Sequence, residues 1–143
     1  MTQVDFYTHA DNKAKLACIL SAKALARGRR VMIYTPDAAT TQLLDQLLWT
    51  TPATSFLPHC HSRDALAAMT PIIIDHAPET FHHDDILLNL SSEQPAFFSR
   101  FERLIEIVTT DENDRQAARE RFRFYRDRGY EMKSHDLSQA RQA

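Results

Sequence analysis

Four short apolar runs recur along this chain: VMIYT (31–35), PIIID (71–75), ILLNL (86–90) and RLIEIVT (103–109). They are continuous rather than alternating, which is the pattern of strands buried on both faces. VDFYTH (4–9) alternates and adds a first strand. Segments of helical spacing fall between the runs. Residues 11–27 carry Leu16, Ile19, Leu20 and Ala24, with Asp11 as the expected cap and Gly28 as the stop. Pro36 and Asp37 open a second helix, with Leu43, Leu44, Leu47 and Leu48 as its buried side. The alternation predicts one α/β domain over 1–143, a mainly parallel sheet flanked by helices.

Glycine narrows the class further. There are two, at 28 and 129. Neither a GxGxxG turn nor a GxxxxGK[ST] loop can be written with them. The outline is therefore Rossmann-like without a phosphate-binding loop. Such a skeleton is expected to present surfaces rather than turn over a nucleotide.

The remaining segments read as connections. Residues 50–62 form a loop around two prolines, with a short strand at Phe56–Leu57. DALAAM (64–69) makes a turn of helix, HAPETFHHDD (76–85) a polar turn, and EQPAFFSRF (93–101) a short helix. Thr109 and Glu112 have capping-box spacing for a last helix over 110–128. Gly129 ends it. The segment YEMKSHDLSQARQA reads as a tail, flexible over 134–143.

Chemistry-bearing motifs are few. HCH (59–61) and HHDD (82–85) are histidine-rich, but a zinc centre needs about four ligands converging on one point. They read as loop histidines, and neither a metal nor a cofactor is expected. Ser55 and Ser62 sit in no nucleophile elbow, and Cys60 lacks a motif that would make its neighbours catalytic. No intrinsic enzymatic activity is expected. The chain has no apolar run of about 20 residues and its N-terminal residues do not resemble a signal peptide. A cytoplasmic protein with reduced thiols is expected.

The formal net charge is −2, but the basic residues are not spread evenly. Residues 115–133 hold Arg115, Arg119, Arg121, Arg123, Arg126, Arg128 and Lys133 against Glu120, Asp127 and Glu131. On a helix, Arg115, Arg119, Phe122, Arg123 and Arg126 fall within an arc of about 100°. Ala118, Phe122 and Tyr125 run beside it as an apolar stripe. Arginine is the better fork for carboxylates and phosphates. The face suits an acidic peptide with an apolar side chain tucked by Phe122 or Tyr125. It also suits a single strand of nucleic acid with base stacking, and a plain solvated basic face is the third reading. Trp49 ends a leucine-rich helix ahead of Phe56; core packing and an interface anchor are both open to it.

LLWTTPATSFLPH (47–59) and ARERFRFYRDRGY (118–130), after the VDFYTH strand, resemble the chi subunit of the bacterial DNA polymerase III holoenzyme. The resemblance runs over essentially the whole chain. It implies a small accessory protein with a nucleotide-binding-like fold and no nucleotide. It implies two partners: the psi subunit, which leads to the clamp loader, and the acidic C-terminal tail of single-stranded DNA-binding protein, which ends in Pro-Phe. Contact with DNA would then be mainly indirect. By the same resemblance Arg115, Arg119, Phe122 and Arg123 form the tail pocket, and Trp49 and Phe56 meet psi. The basic face extends that pocket to Tyr125 and Arg126. Direct binding of single-stranded nucleic acid is the alternative.

Overall fold

The computed structural model describes residues 2–51 and 57–138. Seven strands form one sheet, all neighbours parallel, in the order β3-β4-β2-β5-β6-β1-β7. They are β1 (Gln3–Ala10), β2 (Val31–Tyr34), β3 (His59–His61), β4 (Ile72–Asp75), β5 (Ile86–Asn89), β6 (Arg103–Thr109) and β7 (Met132–Asp136). Three helices flank it: α1 (Lys13–Ala26), α2 (Ala38–Thr50) and α3 (Glu112–Asp127).

Residues alternate between two cores because strand side chains have a period of two. Val31, Ile33, Ile72, Ile74, Ile86, Leu88, Ile105 and Ile107 face α1 and α2. Met32, Ile73, Leu87, Leu104 and Val108 face the other way, onto Ala118 and Tyr125 of α3 and onto Phe98 and Phe101. Burial on both faces is what makes these runs uniformly apolar.

Both glycines are helix stops. Gly28 (φ +74°) and Gly129 (φ +81°) take the left-handed conformation that a side chain disfavours. After α1, Gly28 N–H donates to Leu25 O and Arg29 N–H to Ala24 O. After α3, Gly129 N–H donates to Arg126 O and Tyr130 N–H to Tyr125 O, with the two tyrosine rings 6.5 Å apart. Each end is a Schellman motif, which satisfies carbonyls the helix leaves open.

Several sequence expectations need correction. The α1 cap is Asn12, whose side chain accepts from Lys15 N–H at 3.1 Å, not Asp11. Leu44 and Leu48 are buried on α2, but Leu43 is half-exposed. The α3 cap is Asp111, accepting from Asp114 N–H, while Thr109 N–H donates to Asp114 at 2.8 Å. The short helices around 64–69 and 93–101 are single 3₁₀ turns at Ala67–Met69 and Phe98–Arg100. HCH is a strand, β3, rather than loop; Phe56, assigned to a strand there, lies outside the described residues. The segment taken as a tail supplies β7 instead, in register with β1 from Val4–Met132 to Thr8–Asp136. Both misread strands are at sheet edges, where the neighbour's open hydrogen-bonding edge recruits a polar segment that has no apolar pattern of its own.

Glu106, in the middle of β6, is fully buried. It accepts from Arg121 Nε at 3.1 Å, Tyr125 Oη at 2.7 Å and Asn89 Nδ2 at 2.9 Å. Arg121 Nη1 continues to Ser92 O at 2.7 Å. Burial raises the Glu106 carboxyl above the ordinary carboxylate value, and Arg121, Tyr125 and Asn89 offset only part of that rise. Three donors, one of them the Arg121 cation, converge on the carboxylate. Removing one member of such a pair leaves an uncompensated buried charge. Arg121→Met is expected to lower unfolding free energy by about 3–5 kcal/mol in urea titrations, and adding Glu106→Leu to recover most of that loss.

Candidate functional site

The site lies where the carboxyl ends of β1 and β6 meet the first turns of α3. Phe6, Val108, Ala118 and Phe122 make an apolar floor, and Arg115 and Arg119 stand at the rim. Thr8, His9, Thr109 and Ser134 complete a cavity of about 210 Å³. Ligand sites of parallel sheets commonly lie at this end of the strands. Phe122 is half-buried and meets Phe6 edge-on, with centroids 5.4 Å apart. One edge of its ring is thus packed while it still lines the cavity.

The rim arginines are exposed, and a single carboxylate of the chain lies between them. Glu112 is 3.6 Å from Arg115 Nη1 and 3.4 Å from Arg119 Nη1. Pairs this exposed are weak, typically 0–1 kcal/mol. An incoming carboxylate can replace Glu112 at small cost. His9 sits at the mouth with φ +61°, the one non-glycine residue in the left-handed region among those described. Its Nδ1 is 2.9 Å from Asp136 of β7. The sequence reading passed over His9, Thr8 and Ser134, since nothing in the sequence brings 8–9 and 134 together before β7 is known to pair with β1.

The sequence-derived residues divide into groups. Arg115, Arg119 and Phe122 come together around the cavity. Arg123 and Arg126 are exposed further along α3, outside the lining; Arg126 pairs with Asp127 at 3.2 Å. Tyr125 is fully buried with its hydroxyl on Glu106, so it cannot line a surface groove. Burial and the Glu106 anion push its phenol well up, keeping it a donor. Phe98 on one side and Phe6 on the other enclose the ring.

At the opposite edge of the sheet, Trp49 is 60% exposed and its ring lies 4.8 Å from that of His59 on β3. An exposed tryptophan beside an open strand edge is the composition of an interface anchor. Phe56 falls in the segment 52–56, outside the described residues.

Against this geometry, the chain can be compared with known proteins. The small parallel α/β domain thus carries a cationic, apolar-floored cavity near one edge of its sheet and an exposed tryptophan near the other. Residues 1–133 match the family model described as DNA polymerase III chi subunit, HolC. The chain is 38% identical to the DNA polymerase III subunit chi of Pseudomonas aeruginosa over 141 residues, 96% of this chain and 98% of that one. It is 30% identical to the subunit chi of Haemophilus influenzae, covering 86% of each chain. With the subunit chi of Escherichia coli K12 it shares 29% identity over 82% of this chain and 81% of that one. The chain belongs to the chi subunit family of DNA polymerase III, accessory subunits in DNA replication. Among the described residues no helix is long and apolar enough to cross a membrane.

The HHDD histidines lie away from the cavity. His82 Nε2 is 2.9 Å from Ser62 O, while both ring nitrogens of His83 are enclosed without a hydrogen-bond partner. Burial, then the Arg30 cation, lowers the His83 imidazole to about 4 from its ordinary 6.5. Above pH 6.5 both folded and unfolded states are neutral there. Between about pH 6.5 and 4 the unfolded chain takes up a proton that the folded chain refuses, so stability falls as pH falls. His83→Leu is expected to flatten this part of the profile when urea midpoints at pH 7 and 4.5 are compared.

Proposed function

We propose that this chain is a non-catalytic bridge in the replicative polymerase holoenzyme. The α3 cavity takes the acidic, Pro-Phe-terminated tail of single-stranded DNA-binding protein. The Trp49 edge meets psi and, through it, the clamp loader. The observation that carries the reading is the pairing of an apolar floor at Phe6, Val108, Ala118 and Phe122 with guanidinium groups at Arg115 and Arg119. A terminal phenylalanine fits the floor, and its carboxylate and the preceding acids fit the rim. Arg123 and Arg126 continue the cationic path for residues further back along the tail.

Magnitudes favour a tether that releases. Each exposed ion pair is worth roughly 0.2–1 kcal/mol and is weakened by salt. Burying a phenylalanine adds on the order of 1.5–3 kcal/mol. The apolar contact therefore supplies most of the affinity, and the charges supply direction. The net acidic charge of the chain disfavours wrapping nucleic acid, whose binding scales with the number of phosphates neutralised. DNA contact in this account is indirect.

Calorimetry with an acidic peptide ending in Pro-Phe tests the reading. The peptide is expected to bind, and the same peptide without its last residue to lose about tenfold or more. Arg119→Ala is expected to weaken the intact peptide about two- to fivefold, the worth of one exposed ion pair. Glu112→Gln is expected to tighten it a few-fold by removing the competing carboxylate. Equal binding of both peptides would remove the apolar pocket from the account, and tight oligo-dT binding with a steep salt slope would favour the nucleic-acid reading.

A further inference from the structure

The carboxyl ends of β3 and β4 gather three side chains that the sequence keeps apart. His61 closes β3, Asp75 closes β4, and His76 follows it. His61 is opposite Ile74 in the parallel ladder, which brings its ring beside Asp75. His61 Nε2 is 3.0 Å from Asp75 Oδ1, and His76 Nδ1 is 3.7 Å from the same oxygen. The three ligand atoms lie within 4.8 Å of one another. In a tetrahedral zinc site with bonds of about 2.0–2.1 Å, ligand atoms stand about 3.3–3.4 Å apart. The two distances to Asp75 Oδ1, 3.0 and 3.7 Å, bracket that spacing.

The surroundings are those of a built site. The Asp75 side chain is buried and oriented, with Ser62 Oγ donating to Oδ2 and Ala77 N–H to Oδ1 at 3.0 Å. Outer bonds of this kind hold carboxylate ligands in place. Both imidazoles are partly open to solvent. A cavity of about 380 Å³, lined by His61 with Thr41 and Asp45 of α2, lies alongside and gives an entry path. Two imidazole nitrogens and one carboxylate oxygen suit borderline transition-metal ions better than calcium or magnesium, which favour all-oxygen shells.

We propose that His61, Asp75 and His76 form a three-ligand site for Zn²⁺ or a similar divalent transition-metal ion, with the remaining position open to water. The ion ties β3, paired on one side only, to β4. Trp49 packs on His59 of that same strand, so the metal stiffens the edge that carries the exposed tryptophan. Sequence spacing does not bring these residues together: His61 closes β3, Asp75 closes β4 and His76 follows it, and from HCH only His61 is used.

Tag-free full-length protein titrated with Zn²⁺ by calorimetry, and with Co²⁺ by visible absorption, tests the site. Saturation at one ion per chain is expected, with a rise in melting temperature on adding Zn²⁺. His61→Gln and His76→Gln, each checked for folding by circular dichroism, are expected to weaken Zn²⁺ about 100-fold or more, since even outer-shell changes cost 10–100-fold. His83→Leu should leave it unchanged. In the unaltered protein, imidazole ¹⁵N resonances should move at His61 Nε2 and His76 Nδ1. No saturable binding, or one-to-one binding that survives in the His61→Gln/His76→Gln double variant, would overturn the proposal.

Discussion

The buried ion pair between Glu106 and Arg121 fixes where the last helix lies, and the setting of the cationic cavity follows from that. A carboxylate at the centre of β6 has no water to turn to, so its oxygens must be met by donors. Arg121 and Tyr125, one helical turn apart, supply two of these from α3, and Asn89 supplies another from β5. A helix that merely rested on the sheet through alanine and phenylalanine could slide or rotate. One pinned by directional bonds to a buried charge has a single rotational setting.

That setting sorts the arginines by role. With Arg121 and Tyr125 turned to the sheet, Arg115 and Arg119 project toward the carboxyl ends of β1 and β6, and Arg123 and Arg126 continue in solvent. Phe122 sits at the boundary, packed on Phe6 and still lining the cavity. The N-terminal turn is fixed too, since Asp114 receives Lys13 Nζ at 2.8 Å as well as Thr109 N–H. The rim arginines therefore stand on a helix secured at both its start and its middle, which keeps a modest cationic site aimed without burying its charges.

Much of the architecture was legible in the sequence because the central strands are covered on both faces and read as unbroken apolar runs. The two edge strands were not. HCH and MKSHD carry no period, and they become strands only because β4 and β1 offer open edges. Losing β7 also hid one side of the cavity, since Ser134 and the Asp136 partner of His9 arrive on it. The arc of arginines was readable from helical spacing, whereas the inward turn of Arg121 and Tyr125 was not read. The signal was present as a lone glutamate inside RLIEIVT, a buried charge that had to find a partner on whatever packs above it.

The two edges of the sheet give the family assignment a physical form. One end carries a cationic, apolar-floored cavity against β1 and β7, the other an exposed tryptophan against β3, with the full width of the sheet between them. Partners docked at both ends would not compete for surface. The most direct measurement is amide chemical-shift mapping of the ¹⁵N-labelled protein as a Phe-terminated acidic peptide is added. The account predicts that shifts concentrate at Thr8, His9, Thr109, Arg119, Phe122 and Ser134. Shifts centred on Trp49 and β3, or none at saturating peptide, would contradict it.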